Sequence, residues 1–401
     1  MWLDIETEMT NYFKRIRAIT LLIAAANIMM AQSGAFKSLS TELKTLQKQL
    51  VPDKRVAILE VEIIDTLQTP ITIKGETNLA DAKAQILKLL ADKKISFVDS
   101  IRLLPDAALD DKTWALATLS VSSIHLKPDH CSEMVSQVMM GTPMRVLEMT
   151  EKWYRIQTPE NYIGWMDAGG LQRVSYNDLE HWKSSNRFLF NHLNGKIINT
   201  PTKKGEIVSD LVLGDLFEVE STVQNYLKIK TPDGRSGYVL KEDCISYDDW
   251  SQIKPNTEDI INVAKEMMGS PYLWGGVSSK AVDCSGFVKL AHYSQGIILA
   301  RDASQQAKYG VSIDISNLKN LQAGDLLFFG SSAQHITHVG LYLSNGDFIH
   351  SSGRVHISSL IPSDPKYVAT RHRVAACRVI NSIDTEGIIS VKKHPWYSIQ
   401  P

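Results

Sequence analysis

A shift of 73 residues lays one stretch of this chain onto another without a gap. Glu133-Met-Val-Ser-Gln137, Gly141, Val146, Ile156, Thr158-Pro159 and Gly164-Trp165 fall on Glu206-Ile-Val-Ser-Asp210, Gly214, Val219, Ile229, Thr231-Pro232 and Gly237-Tyr238. Two copies are too few for a solenoid, so each must close a core of its own. Each copy alternates apolar and polar residues over short runs, marks its turns with Gly, and turns at Thr-Pro followed by an acid. The duplication therefore predicts two small β-barrels or sandwiches of ~60 residues each, over 115–175 and 188–247. Polar stretches, 175–187 and 247–259, read as linkers after each copy.

The chain has 401 residues, 44% hydrophobic and 22% charged, with a net charge of −1. Length alone suggests several domains. The charge balance argues against nucleic acid as a partner. No internal run reaches the ~18 apolar residues of a membrane span. The N-terminus differs: Lys14, Arg15 and Arg17 precede the apolar run Ala18 to Ala31. This reads as a secretory signal over 1–31, with Met9 as a second candidate start and an amphipathic first helix as the alternative. No Cys follows the run, so lipid attachment there is not expected. The mature chain is expected to be exported, periplasmic or associated with the cell envelope, without a membrane span and monomeric.

Residues 33–114 read as a small α+β module. Leu39, Leu43, Leu46 and Leu50 have helical spacing; Val56 to Ile64 and Ile71 onward read as strands. Asn78 to Lys94 reads as a helix with Ala80, Ala84, Ile86, Leu87 and Leu90 on one stripe, and Ser96 to Leu104 as a third strand. This module carries no chemistry, and a packing or docking role is expected.

The chemistry lies in 258–380, followed by a tail over 381–401 that should pack on it. Pro271 to Phe287 reads P-Y-L-W-G-G-V-S-S-K-A-V-D-C-S-G-F. Asp283 is placed to cap a helix whose apolar positions are Phe287, Val288, Leu290 and Ala291, so Cys284 sits in its first turn. A lone cysteine is more often a small buried side chain. Here the turn–helix junction after a Gly pair favours a nucleophile. A helix N-terminus favours the thiolate and offers N–H groups to a developing oxyanion.

Two histidines follow, His338 and His350, around Asn345-Gly346. A two-residue hairpin turn alone would send them to opposite faces. A three-residue loop, or an equivalent bulge, pairs Gly340 with His350 and puts both on one face, with Val339, Leu341 and Ile349 on the other. The apolar grouping favours that register. His292, His335 and His356 have no pattern that fixes a role.

D-C-S-G-F, the later H-V-G-x-Y, His350 and the L-Q-A-G-D-L-L-F-F run before them resemble the NlpC family of papain-like cell-wall cysteine peptidases, across 258–380. The repeats resemble bacterial SH3-like domains, which bind wall peptide or shape a neighbouring active site; a rigid spacer is the plainer role for the second copy. The implied fold class is α+β: a papain-like domain preceded by two SH3-like barrels and the N-terminal module. Together with Trp274 and Arg301-Asp302, the pair of barrels resembles the branch that cleaves γ-D-glutamyl–diaminopimelate bonds in murein peptides with a free N-terminal L-alanine. The resemblance implies that Cys284 attacks the γ-carbonyl to form a thioester, that His338 is base and then acid, and that His350 orients it. It further implies Tyr272 and the Cys284 N–H as oxyanion donors. Trp274, Asp302, Asp283 and Ser285 would contact or position substrate, with Tyr162 and Glu133 contributed by the first barrel. The family's R-D-S is here Arg301-Asp302-Ala303-Ser304, so a hydroxyl contact would fall to Ser304; Asp302 could instead only cap a loop.

The implied partners are peptidoglycan stem peptides. No cofactor and no metal are expected, since no Cys or His spacing suggests zinc. Cys131, Cys244 and Cys377 could form at most one disulfide if Cys284 stays free. Two rival functions share these residues: a transamidase passing the thioester to an amine, and a wall-binding protein with an inactive peptidase domain.

Overall fold

A computed structural model describes residue 17 and residues 36–64 and 70–399. The expected signal segment, 1–31, lies outside the described residues apart from residue 17. The chain divides into two compact units, residues 1–104 and 105–401.

In the first unit, helix α1 (residues 36–50) precedes strands β1 (Leu59–Ile63) and β2 (Ile71–Thr77), helix α2 (Ala80–Asp92) and strand β3 (Phe97–Leu103). Strand β2 lies between antiparallel β1 and parallel β3. Leu39 and Leu43 of α1 join Ile73 and Ile86 in one core. The apolar stripe of α2 has a different phase from the expected one. It buries Ala82, Ile86 and Leu90, and leaves Ala80 and Ala84 exposed. A methyl group adds little apolar area, so the larger Ile and Leu set the rotation.

In the second unit, the first barrel comprises β4 (Trp114–Ala117), β5 (Val121–His125), β6 (Met134–Met139), β7 (Pro143–Thr150), β8 (Trp153–Gln157), β9 (Ile163–Asp167) and β10 (Leu171–Val174). Helix α3 (Tyr176–Ser184) leads to the second. That barrel comprises β11 (Arg187–Phe190), β12 (Asn194–Ile198), β13 (Ile207–Val212), β14 (Leu216–Val223), β15 (Tyr226–Lys230), β16 (Ser236–Leu240) and β17 (Cys244–Ser246). Each forms one seven-stranded sheet, and the shift of 73 carries β4–β9 onto β11–β16 residue for residue. Segment 105–113, read from sequence as part of the module, falls in this unit, and the Asp106 N–H donates to Leu147 of the first barrel.

The expected linkers are helices. Ser175 and Asp178 close a capping box on α3, and Ser246 caps α4 (Tyr247–Gln252) by accepting from the Asp249 N–H. Their polar composition hides a few large buried residues, Leu179, Trp182, Tyr247 and Trp250.

Helix α5 (Thr257–Glu266) then leads to β18 (Val277–Ser278), β19 (Ala281–Val282), α6 (Cys284–Tyr293), β20 (Ile297–Leu299), α7 (Ala303–Gln306), β21 (Val311–Ser312), β22 (Leu326–Ser332), β23 (His335–Ser344), β24 (Asp347–Ser352), β25 (Arg354–Ser359), β26 (Arg373–Arg378) and β27 (Ile388–Ser390). The main sheet runs β21-β26-β22-β23-β24-β25, all antiparallel. Every residue of α6 is buried, because one apolar core joins the helix to the sheet, to Trp114 and Met139 of the first barrel, and to Leu213 and Leu216 of the second.

The tail does more than pack on the sheet domain. His394 Nε2–H donates to the Pro159 carbonyl of the first barrel at 3.0 Å. The Pro395 and Tyr397 carbonyls accept from Lys183 on α3 and Arg187 of the second barrel. Trp396 meets Trp114 edge to face at 5.1 Å. The fully buried Tyr397 reaches Tyr293 of α6, hydroxyl to hydroxyl, at 3.2 Å. Replacing Tyr397 by Ala should therefore destabilise the second unit by about 4 kcal/mol, read as a lowered urea midpoint. Ile399→Ala, at an exposed position, should change it by no more than about 0.5 kcal/mol.

Candidate active site

The nucleophile candidate is held by a buried ion pair. Asp283 caps α6 by accepting from the Gly286 N–H at 2.7 Å, and accepts from the Gly275 N–H at 3.0 Å. Arg301 Nη2 donates to the same carboxylate at 2.6 Å. Arg301 also donates to Ser285 Oγ at 3.1 Å and to Ser136 Oγ of the first barrel at 2.9 Å. Burial alone would lower the arginine's pKa, but Asp283 outweighs it and raises it. Two glycines permit this packing: a Cβ on Gly286 would lie 2.0 Å from the Gly276 carbonyl oxygen, and one on Gly275, at φ 78°, would lie 2.5 Å from the Met134 carbonyl oxygen.

Cys284 is the first residue of α6 and is buried. The structure corrects the expectation of a lowered thiol pKa. Burial, then the neighbouring Asp283 carboxylate, pushes it up to about 11, against the opposing pull of the Val339 N–H, Arg301 and the Ser285 N–H. Val339 follows His338 on β23, so the strand carrying His338 passes close to the sulfur.

His338 and His350 come together. Strand β23 pairs Leu341 with Ile349 and Tyr342 with Phe348, then slips by one so that Ser344 faces Asp347. The loop is thus a two-residue turn, with Asn345 and Gly346 at positive φ, followed by a bulge at Leu343. The bulge produces the register expected from the longer loop, with both histidines on one face. His338 Nε2 lies 2.8 Å from His350 Nδ1, and His350 Nε2 lies 2.9 Å from Ser358 Oγ. Burial and the nearby positive charge of Arg371 lower the pKa of His338 well below the usual imidazole value; burial, then His356 and Arg371, takes His350 down to about 3. Both imidazoles are neutral at pH 7.

Tyr272 is half-buried and senses Cys284; burial and the anionic neighbours push its phenol up to about 12, so it remains a donor. Exposed Trp274 donates through Nε1 to Glu133 Oε1 of the first barrel at 2.7 Å. Buried Tyr162 lies close enough to act on the charge of Arg301. Asp302 heads α7, where its N–H donates to Gln305 Oε1 at 3.1 Å and its carbonyl accepts from the Gln305 and Gln306 N–H groups. It therefore does cap, while its carboxylate lies 3.9 Å from Arg301. Ser304 is half-buried on the same short helix. Ser285 Oγ lies 3.2 Å from Asp283, so both flanking residues are engaged with Arg301.

His292 is buried, donating through Nδ1–H to the Val288 carbonyl, and burial lowers its pKa to about 4. His335 is exposed, but the His356 ring packs against His350, tilted by 50° with 4.4 Å between ring centres. Sequence reasoning missed Ser358, the ring contact of His356 with His350, the organising role of Arg301, and Arg371, which interacts electrostatically with Cys284, Tyr272 and both histidines. Arg371 follows a polar loop with no motif, so only the fold reveals its place. All four cysteines are unpaired, and among the described residues no group of His, Cys, Asp and Glu has metal-binding geometry.

The sequence model of the NlpC/P60 family matches residues 269–374, and that of the bacterial dipeptidyl-peptidase SH3 domain matches 124–171. A γ-D-glutamyl-L-lysine dipeptidyl-peptidase of Bacillus subtilis is 30% identical over 231 residues, 54% of this chain and 71% of its own. A protein of the same name from Bacillus cereus is 27% identical over 68% of this chain and 79% of its own. The crystal structure of an NlpC/P60 family protein from Bacillus cereus shares the fold, with a TM-score of 0.58 at 22% identity, over 66% of this chain and 99% of that one.

A thiol with a pKa near 11 and neutral imidazoles should alkylate with a rate that still rises between pH 8 and 10. Iodoacetamide labelling of Cys284 in the substrate-free protein measures this. A rate that plateaus below pH 7 would indicate a preformed thiolate–imidazolium pair instead.

Proposed function

This chain belongs to the NlpC/P60 family of peptidases, and on that premise we propose that it cleaves the γ-D-glutamyl–diaminopimelate bond of murein stem peptides with a free N-terminal L-alanine. The observation that carries the reading is the contact of the first barrel with the Cys284 loop. The Trp274–Glu133 hydrogen bond and the proximity of Tyr162 to Arg301 support a cleft closed at one end. A closed end admits only a short acyl segment, and Glu133 and Asp302 supply carboxylates for its terminal ammonium. The relatives named dipeptidyl-peptidases favour the same length, although the diamino acid in their name is lysine.

In this reading the proton chain runs from His338 Nε2–H to His350 Nδ1, and from His350 Nε2–H to Ser358. His338 Nδ1 is then the base. It takes the thiol proton as Cys284 attacks the γ-carbonyl, and the Cys284 N–H and Tyr272 hydroxyl receive the oxyanion. The imidazolium returns the proton to the leaving amine. Water, deprotonated by the same imidazole, opens the thioester and frees L-Ala-D-Glu. The site would work on the cell-envelope side, where such peptides occur.

The test is L-Ala-γ-D-Glu-meso-diaminopimelate with product analysis. Wild-type protein should release diaminopimelate, and Cys284→Ala should release none. N-acetylation of the alanine should lower kcat/KM by about tenfold or more, the scale of losing a charge-assisted hydrogen bond to a half-buried Asp302. Equal release by wild type and Cys284→Ala would exclude this catalysis. A new amide formed with an added amine would instead favour the transamidase.

A further inference from the structure

The NlpC/P60 reading leaves one cationic side chain at the site without a role. Arg371 is half-buried, and its Nη2 donates to Ser352 Oγ at 2.7 Å. Ser352 ends the strand that carries His350. Among the described residues, no carboxylate lies within ion-pair distance of Arg371. It interacts electrostatically with both Cys284 and Tyr272, so its charge is felt where the bond is cut. A buried or half-buried guanidinium without a protein counter-ion is well matched to an anionic ligand.

Its position gives the side of the bond. The acyl part belongs with Trp274, Glu133 and Arg301, which line the barrel side of Cys284. Arg371 instead lines a cavity of about 390 Å³ with Phe329, His335, Thr337, Thr370 and His372. Three of those residues belong to β22 and β23, the hairpin that carries His338. Thr337 of this lining immediately precedes His338 on β23.

We propose that Arg371 binds a carboxylate of the leaving diamino acid and so helps to select that residue. The inference rests on the proposed peptidase activity. Two carboxylates could serve: the α-carboxylate, present on lysine and diaminopimelate alike, or the distal one, present only on diaminopimelate.

The experiment compares wild type with Arg371→Gln and Arg371→Lys on L-Ala-γ-D-Glu followed by meso-diaminopimelate, by L-lysine, or by L-lysinamide. Arg371→Gln should lose at least about tenfold in kcat/KM, mainly through KM, on substrates with the carboxylate it reads. Arg371→Lys should recover part of the loss. Loss on diaminopimelate alone assigns the distal carboxylate; loss on both diaminopimelate and lysine but not lysinamide assigns the α-carboxylate. Equal loss on all three, lysinamide included, would mean that Arg371 only positions the histidines, and no loss would mean no role; either overturns the proposal. So would a dependence removed by converting the D-glutamate α-carboxylate to its amide. Calorimetric binding of the same peptides to Cys284→Ala protein, with and without Arg371→Gln, separates the two readings. Arg371-dependent binding without wild-type turnover would sink the peptidase and keep the subsite.

Discussion

The buried pair of Asp283 and Arg301 is the interaction on which the site depends. Removing two charges from water is expensive, and a pair held by poor geometry does not recover that cost. Here the carboxylate also accepts from two backbone N–H groups, and the guanidinium also donates to two serine hydroxyls. The pair fixes three things together. It sets the first turn of the helix that begins with Cys284, the glycine turn after Trp274, and the edge of the first barrel at Ser136. Losing either partner would leave an uncompensated charge among all three. The apolar packing around α6 tolerates many shapes; this network tolerates few.

The two barrels share a topology but not a job. Glu133, Glu160 and Tyr162 of the first correspond to Glu206, Asp233 and Arg235 of the second. Glu133 bonds Trp274, and Glu160 lies 3.2 Å from Lys289 of α6. The counterparts of these two glutamates bond within their own barrel, Glu206 to Asn199 and Asp233 to Arg235, while Arg235 also donates to the Thr118 carbonyl of the first barrel. The second barrel meets the sheet domain elsewhere, through Asp210 on Lys280 and Leu213 and Leu216 in the shared core. Duplication supplied one scaffold twice, and side-chain chemistry at the turn decides which copy borders the cleft.

What the sequence made legible follows from range. The repeat, the alternating strands and the cap of α6 are local patterns, and the shift of 73 carried even the strand ends. The shared face of His338 and His350 followed from apolar grouping on the opposite face, although a bulge at Leu343 achieved it. The linkers were misread because two large buried apolar residues in each polar stretch, Leu179 and Trp182 or Tyr247 and Trp250, have no clear period. Arg371, Ser358 and the tail were invisible for a different reason. Their partners are distant in the chain, and one arginine in a loop carries no pattern until the fold supplies its neighbours. The lowered thiol pKa expected from the helix N-terminus failed similarly. The dipole is a local property, whereas the burial that outweighs it arises from the whole core.

That outcome bears on chemistry. A thiol pushed up to about 11 is largely protonated at neutral pH, which protects the cysteine from oxidants and stray electrophiles. It is not thereby a weaker nucleophile. Sulfur nucleophilicity rises with thiol pKa, and only the small thiolate fraction limits the rate. In the proposed reaction, the neutral His338, hydrogen-bonded through His350 to Ser358, would remove this limit once a carbonyl is in place. On that reading proton transfer and attack would belong to one step, and the charge separation would arise where Tyr272 and the helix N–H groups can meet it. The barrel contact gains a second meaning from this. In the proposed reaction, a first barrel that narrows the approach to Cys284 would also limit the water that reaches the thiol and the imidazoles.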